Sequence, residues 1–451
     1  MTKKNKKHKA INKFEFAFNF FSLIAAICVG VYFGYRGLYF YSKQNNTVKE
    51  EEPLLAEKIL LNNKITKESV GFHQDNDGYY FKGKVENNYV KFANRIFRIV
   101  RLNNDHTIKL VDEDVSSIFM WGEENDYTKS NLRIWLTKTE DELSGVYYDT
   151  IPTADKFLTK TDYRDDILEE SKISKSKDKF SDFITTLTVD DYITSSGKNG
   201  YLNTGKYFYL LGHNQDNMKL YVDEDGSILE TTNYESFGVR AVITLKKNIK
   251  ITGGDGTIND PYIIKQDENT NYVGQYVKLG EEVWKVYQDK DNVLKLSLTD
   301  ALKMNGIAYA SKYSTKTSEF DITDKNSLAY FLNTTYYNSL PYAPYLLDLT
   351  SQVGEISNET GLNYSNIYQK QVVSKVALLN IFDYNPICNL YNYYYLNTTS
   401  TVGSMAYVHN KLGILEEAKV EEERYIVPVI SVQKQIFKNG DGTKEKPYTM
   451  E

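Results

Sequence analysis

The sequence predicts an α+β protein in which a single N-terminal transmembrane helix is followed by two tandem, mainly antiparallel-sheet units. Three observations predict it. A lysine-rich start runs into twenty consecutive uncharged residues. Alternating apolar runs broken by Asn/Asp turns recur along the rest of the chain, with only short helical stretches between them. The order of those runs is written twice, and nothing alternates strand with helix as a doubly wound fold would.

The opening residues "MTKKNKKHKAINK" hold six lysines and no acid, and residues 16–35 carry no charge. Twenty apolar residues are the length that crosses a bilayer core. A cleaved secretory signal would be shorter and end in a small-x-small site; here Tyr32, Phe33, Tyr35 and Tyr39 crowd the exit. Six lysines before the span and only Arg36 just beyond it place the N-terminus in the cytoplasm. The layout expected is a cytoplasmic basic tail (1–13), a transmembrane helix (14–41) and an outer portion from about Ser42 onward. This describes a single-pass protein of the cell membrane with its C-terminal part extracellular.

Composition narrows the partners. The 451 residues carry a formal charge of −6, and the basic tail leaves −12 for the rest. An acidic exterior without a basic stripe argues against nucleic acid as a partner. The two cysteines, Cys28 in the span and Cys388 far out, cannot pair, so no disulfide framework exists. Ile27 stands where a lipoprotein acceptor would want a small residue, which makes Cys28 a lipid-facing side chain. The 38 tyrosines and 21 phenylalanines suit a sugar-binding surface, but the excess of Lys over Arg explains most of them by AT-rich codon usage.

Residues 42–78 form a polar tether and a short amphipathic helix, in which "PLLAEKILLNN" sets Leu54, Leu55, Ile59 and Leu60 at helical spacing. Beyond it the chain is a duplication. "NRIFRIVRLNNDHTIKLVD" around Phe97 answers "GEEVWKVYQDKDNVLKLSL" around Trp284, and each is a hairpin. "SNLRIWLTKT" answers "NSLAYFLNTT", with Leu132, Trp135 and Leu136 matching Leu328, Phe331 and Leu332 on one helical face. The pairs Tyr147-Tyr148 and Tyr336-Tyr337 follow. "LTVDDY" then matches "LNIFDY", and "VRAVITL" matches "IVPVISV". Unit one spans 79–265, "QDENTN" is a linker at 266–271, and unit two spans 272–451.

Each copy closes on a Gly-Asp-Gly block, "ITGGDGTINDPYII" and "FKNGDGTKEKPYTM". A phosphate loop needs Lys-Ser/Thr or a helix start after its glycines, and a cation loop needs alternating carboxylates; neither copy has them. The blocks predict a tight turn in which Gly254 or Gly256, and Gly440 or Gly442, take positive φ.

Other candidates for chemistry are isolated. His8, His73, His106, His213 and His409 do not share metal-ligand spacing. Cys388 with His409 offers a thiol–imidazole pair that unit one does not repeat. "SSGK" at Ser195 to Lys198 fits Ser-x-x-Lys without its partner motifs. "DNDG" at Asp75 and "VDEDGS" at Val222 lack the bidentate Glu of a calcium loop. No catalytic, cofactor-binding or metal-binding residue is assigned, no cofactor is expected, and the ligand-binding residues stay open.

The run "YYFKGKVENNYVKFANRIFRIVRLNNDHTIKLV", with "GVRAVITL" and "GDGTINDPYII" closing it, resembles uncharacterised membrane-anchored surface proteins of low-GC Gram-positive bacteria. The resemblance is close in unit one and looser in unit two. Phe97 replaces the usual Trp, which Trp284 keeps. It implies a C-type-lectin-like fold and brings no established catalytic residues. The expected function is extracellular binding or adhesion toward wall polymer, glycan or a surface protein. A cell-envelope hydrolase or transferase with an unrecognised site is the alternative, and a structural part of a larger envelope complex is a third.

Overall fold

The computed structural model describes residues 29–34, 36, 52–266, 271–356, 370–385, 393–400, 405–410 and 414–450. The chain divides into two compact units, Met1–Glu52 and Pro53–Glu451. In the first, residues 29–34 and 36 are helical. Among the described residues no helix is long and apolar enough to cross a membrane, and most of the span expected at 16–35 lies outside them.

The second unit is sheet-rich α+β, and it contains the same sheet twice. In copy one the strand order is Ile184–Thr186, Ala241–Leu245, Ile108–Asp112, Arg95–Asn103, Tyr89–Phe92, Tyr262–Ile264. In copy two it is Val376–Leu378, Pro428–Gln433, Val293–Leu298, Glu282–Lys290, Tyr276–Leu279, Tyr448–Thr449. All neighbours are antiparallel except the closing strand, which runs parallel to its partner in both copies. The central hairpins also share a β-bulge, between Ile99 and Arg101 in one and between Val286 and Gln288 in the other. A bulge adds one unpaired residue and re-aims its side chain. Phe97 and Trp284 occupy the same position and are both fully buried.

The local chemistry matches as well. Ser130 caps its helix by accepting from Arg133 N at 3.2 Å, and Ser327 does so from Tyr330 N at 3.1 Å. In the closing turns Asp255 Oδ1 accepts from Thr257 N (2.9 Å) and Oγ1 (2.8 Å), and Asp441 Oδ1 from Thr443 N (3.0 Å) and Oγ1 (2.7 Å). All four glycines have positive φ: 101° and 93° at Gly254 and Gly256, 99° and 77° at Gly440 and Gly442. Glycine is required there because a side chain at Gly254 would meet Pro261 O at 2.1 Å, and one at Gly440 would meet Pro447 O at 2.2 Å.

The expected helix of the 42–78 segment is Leu55–Asn62, with Leu55, Ala56 and Ile59 buried. It packs on the end of copy one: Leu55 N donates to Ile249 O, Ile251 N to Pro53 O, and Asn62 Nδ2 to the Tyr262 hydroxyl. The hairpin of Gly71–Gln74 and Gly78–Lys82 joins the same sheet through Arg95–Asn103.

A second sheet links the copies. Its order is Ile228–Thr231, Lys219–Val222, Phe208–Asn214, Ser236–Val239 from copy one, then Ile414–Lys419, Met405–Asn410, Tyr394–Ser400, Arg424–Tyr425, Ala310–Ser311 from copy two. The join is a bridge between Phe237 and Ile414. Beneath it, fully buried Trp135 of copy one donates its indole N–H to Phe382 O of copy two at 2.8 Å. The Arg95 guanidinium lies over the rings of Tyr147 (4.5 Å) and Tyr384 (5.4 Å), one from each copy. Asp112, buried below, accepts from the hydroxyls of Tyr147 (2.6 Å) and Ser116. The two copies therefore share a packed, hydrogen-bonded junction.

Candidate functional site

Each copy carries a cavity against its bulged hairpin, at the block written "LTVDDY" in copy one and "LNIFDY" in copy two. Two backbone contacts fix the equivalence: Leu211 N donates to Leu187 O, and Asn397 N to Leu379 O, both at 2.7 Å. Asp191 and Asp383 then correspond. So do Lys109 and Lys295, which pair across their sheets with Thr244 and Ser431 at matching register. A Lys and an Asp thus face the same place twice.

In copy one the pair is closed. Lys109 Nζ donates to both oxygens of Asp191 at 3.1 Å, and the Thr188 hydroxyl adds a bond at 2.8 Å. Asp191 N donates back to Thr188 Oγ1 at 3.0 Å, completing the helix cap of Val189–Thr194. Burial pushes the Asp191 carboxyl up, but Lys109 and Thr188 together outweigh it and hold the group below its ordinary value. The cavity beside this pair, about 320 Å³, is lined by charges that neutralise one another. Lys175 meets Asp166 at 2.5 Å and Lys179 meets Asp162 at 2.6 Å, while Arg101 forms two 2.8 Å bonds to Asp75 at its rim.

In copy two the pair is open. Asp383 Oδ2 accepts from Asn380 N at 2.9 Å, and among the described residues its Oδ1 accepts from no protein donor. Lys295 lowers the carboxyl's titration through space without forming an ion pair, and burial wins, raising Asp383 above its ordinary value. Beside it lies the larger cavity, about 500 Å³, at the junction of the copies. Copy two contributes Tyr287, Gln288, Asp289, Lys290, Asp383 and Tyr384 to its wall. Tyr287, the residue inserted at the bulge, is 5% exposed, and its hydroxyl makes no hydrogen bond to a described residue. Copy one supplies the facing wall from the loop after its helix, including Lys138, Glu142, Ser144 and Asp149. Two of the wall's charges are already committed: Lys138 Nζ to Asp149 at 2.9 Å, and Asp289 to Lys434 Nζ at 2.6 Å.

The isolated motifs end as structure. Ser195 Oγ is buried and donates to Tyr192 O at 2.8 Å, which closes a helix end. Asp75 caps its turn through Asp77 N and Gly78 N, and Asp223 caps its own through Ser227 N. His106 sits exposed in a hairpin turn at φ 66°, and His73 stacks on Tyr80. Cys388 lies outside the described residues, as does the side chain of His409. Among the described residues no cluster of His, Cys, Asp and Glu is grouped to hold a metal ion.

The Asp191/Asp383 position was in view in the sequence as part of a matched block. Its use as the wall of a cavity was not, because Tyr287 and the loop of copy one meet it only through the fold. Comparison with known protein families, with curated proteins and with solved structures gives no match for this chain.

Proposed function

We propose that this chain is an anchored envelope protein whose outer body binds a polar ligand, wall polymer or glycan, in the cleft between its two copies. The observation that carries this reading is the cleft itself. It has the volume of a small-ligand site, it is walled by side chains from both copies, and it sets unengaged hydrogen-bonding groups of Asp383 and Tyr287 beside aromatic rings. Anchoring rests on the uncharged residues 16–35 behind six lysines. The tandem units are of the kind expected from the resemblance to surface proteins, and a C-type-lectin-like classification remains part of this proposal.

The test is to purify residues 52–451 and apply them to glycan and wall-polymer arrays beside a broad hydrolase and transferase screen. Saturable binding that Tyr287→Ala abolishes, without turnover, supports the reading. Turnover of an envelope substrate would replace it with the enzyme alternative. Binding that is indifferent to every cleft substitution would remove the cleft from the proposal.

A further inference from the structure

The two copies hold the same lysine and aspartate in opposite states, and that difference points to what the cleft selects. In copy one the aspartate is spent: two bonds from Lys109 and one from Thr188 leave Asp191 nothing to offer a ligand. In copy two the same position keeps one carboxylate oxygen unengaged at the wall of a cavity. The lysine of copy two has not been lost; Lys295 is present and stands off. Nor has the loop been rebuilt, since Asn380 closes it much as Thr188 does, with Asn380 Oδ1 accepting from Asp383 N at 2.9 Å. What has changed is the neighbour. The loop of copy one covers this face of copy two, Tyr287 enters from the bulge, and a cleft forms where copy one has a paired charge.

The lining of that cleft is acidic: once Lys138–Asp149 and Asp289–Lys434 are set aside as pairs, Glu142 and Asp383 remain against Lys290, while Lys295 acts on Asp383 from outside the lining and without an ion pair. A carboxylate beside phenol rings is the arrangement that receives an ammonium group, by ion pairing and by attraction to the ring faces. A neutral hydroxyl would bind there too, but it would gain nothing from the residual negative charge. Resting on the reading of the cleft as a glycan site, we propose that Asp383 is its specificity residue and that it takes a protonated amino group carried on a sugar.

The experiment uses the full-length chain in mild detergent, with the glucosamine tetramer and its N-acetylated counterpart as probes in isothermal titration. The amino form is expected to bind at least about tenfold more tightly, the equivalent of about 1.4 kcal/mol. Asp383→Asn should remove that preference. It keeps an oxygen to accept from Asn380 N, and an unchanged melting temperature will show that it folds. Asp191→Asn, the matched change in copy one, should leave the preference intact. Lys290→Glu alters only an exposed side chain at the rim and should tighten binding of the amino form. Affinity for the amino form should also fall as the pH drops through the raised titration range of Asp383, because the protonated carboxyl no longer attracts an ammonium ion.

Equal affinity for the two tetramers, an amino preference that survives Asp383→Asn, or no binding of the glucosamine tetramer would each overturn the inference. A different glycan bound in the cleft without regard to amino groups would overturn it while leaving the cleft reading standing. Glycan binding that ignores Tyr287→Ala as well would end both.

Discussion

Copy one and copy two are built on one strand order, one bulge and one closing turn, yet they differ where a ligand would sit. Copy one meets its half-buried aspartate with a lysine at 3.1 Å; copy two holds the same two residues apart beside a cavity of about 500 Å³. A second difference lies at the head of the central strand. Arg95 of copy one stacks across the junction onto Tyr384, whereas its counterpart Glu282 accepts hydroxyls from Tyr336 and Tyr342 of its own copy. Positions that carry the scaffold have stayed alike. Divergence at the junction and around the cleft has left the strand order, the bulge and the closing turn unchanged.

The largest effect tests whether the scaffold is the same in both copies. Gly254→Val and Gly440→Val each force a branched side chain onto backbone at about φ 100°, with a carbonyl oxygen barely 2 Å from the new Cβ. Each should cost roughly 3 kcal/mol of unfolding free energy in denaturant titration. The two losses should agree closely. A large loss in one copy and a small one in the other would break the equivalence of the closing turns.

The next effect tests the junction. Trp135→Phe removes the indole hydrogen bond to the Phe382 carbonyl and opens a small void, for about 2 kcal/mol. Phe331, the matching residue in copy two, is half-buried against Tyr309 and has no such duty, so Phe331→Leu should cost under about 1 kcal/mol. The sequence alone suggests two units that melt separately. The shared sheet, Trp135 and Arg95 predict instead a single calorimetric transition for 53–451, and two well-separated transitions would show that the junction is weak.

A smaller effect separates the two aspartates by pH. Asp191 titrates below its ordinary value of 3.8, so its charged form stabilises the fold above that value, and the contribution is lost as pH falls through the lowered one. Asp191→Asn should therefore cost about 1 to 2 kcal/mol at pH 7 and progressively less in acid. Asp383 has the opposite sign. Its carboxyl is raised by burial, so ionising it costs stability as pH rises from 3.8 through the raised value. Asp383→Asn should leave stability unchanged or slightly improved at pH 7. Equal losses from the two substitutions would mean that copy two holds its aspartate as copy one does, and the comparison would fail.

What the sequence made legible was local or repeated. Alternation marked the hairpins at Phe97 and Trp284, apolar residues on one helical face (Leu132, Trp135, Leu136 and Leu328, Phe331, Leu332) marked the two matched helices, and Gly-Asp-Gly marked both closing turns. Each signal lies within a few residues of its cause. The packing of Leu55–Asn62 onto Tyr262, the bridge from Phe237 to Ile414 and the arrival of a copy-one loop over Asp383 all join residues far apart in the chain. No periodicity records such meetings. The cleft was hidden for that reason, although its aspartate stood in a block already matched between the copies.

The smallest effect returns to the closing turns. Asp255 and Asp441 are exposed, and each carboxyl is held below its ordinary value, Asp255 chiefly by the backbone N–H of its threonine and Asp441 chiefly by the threonine hydroxyl. The charged form is thus the one the fold favours, and its benefit should fade as pH drops below 3.8 through the lowered value. Asp255→Ala and Asp441→Ala lose only this local cap while the glycines still provide the turn, so both should cost much less than the Val substitutions. Adding calcium should not rescue or shift either copy, since a ligand held only by the folded state must raise its melting temperature. In each side chain one oxygen, Oδ1, is already committed to the following threonine, Thr257 or Thr443. A calcium-dependent rise in melting temperature that Asp255→Ala removes and Asp441→Ala does not would show that the two turns have parted in function.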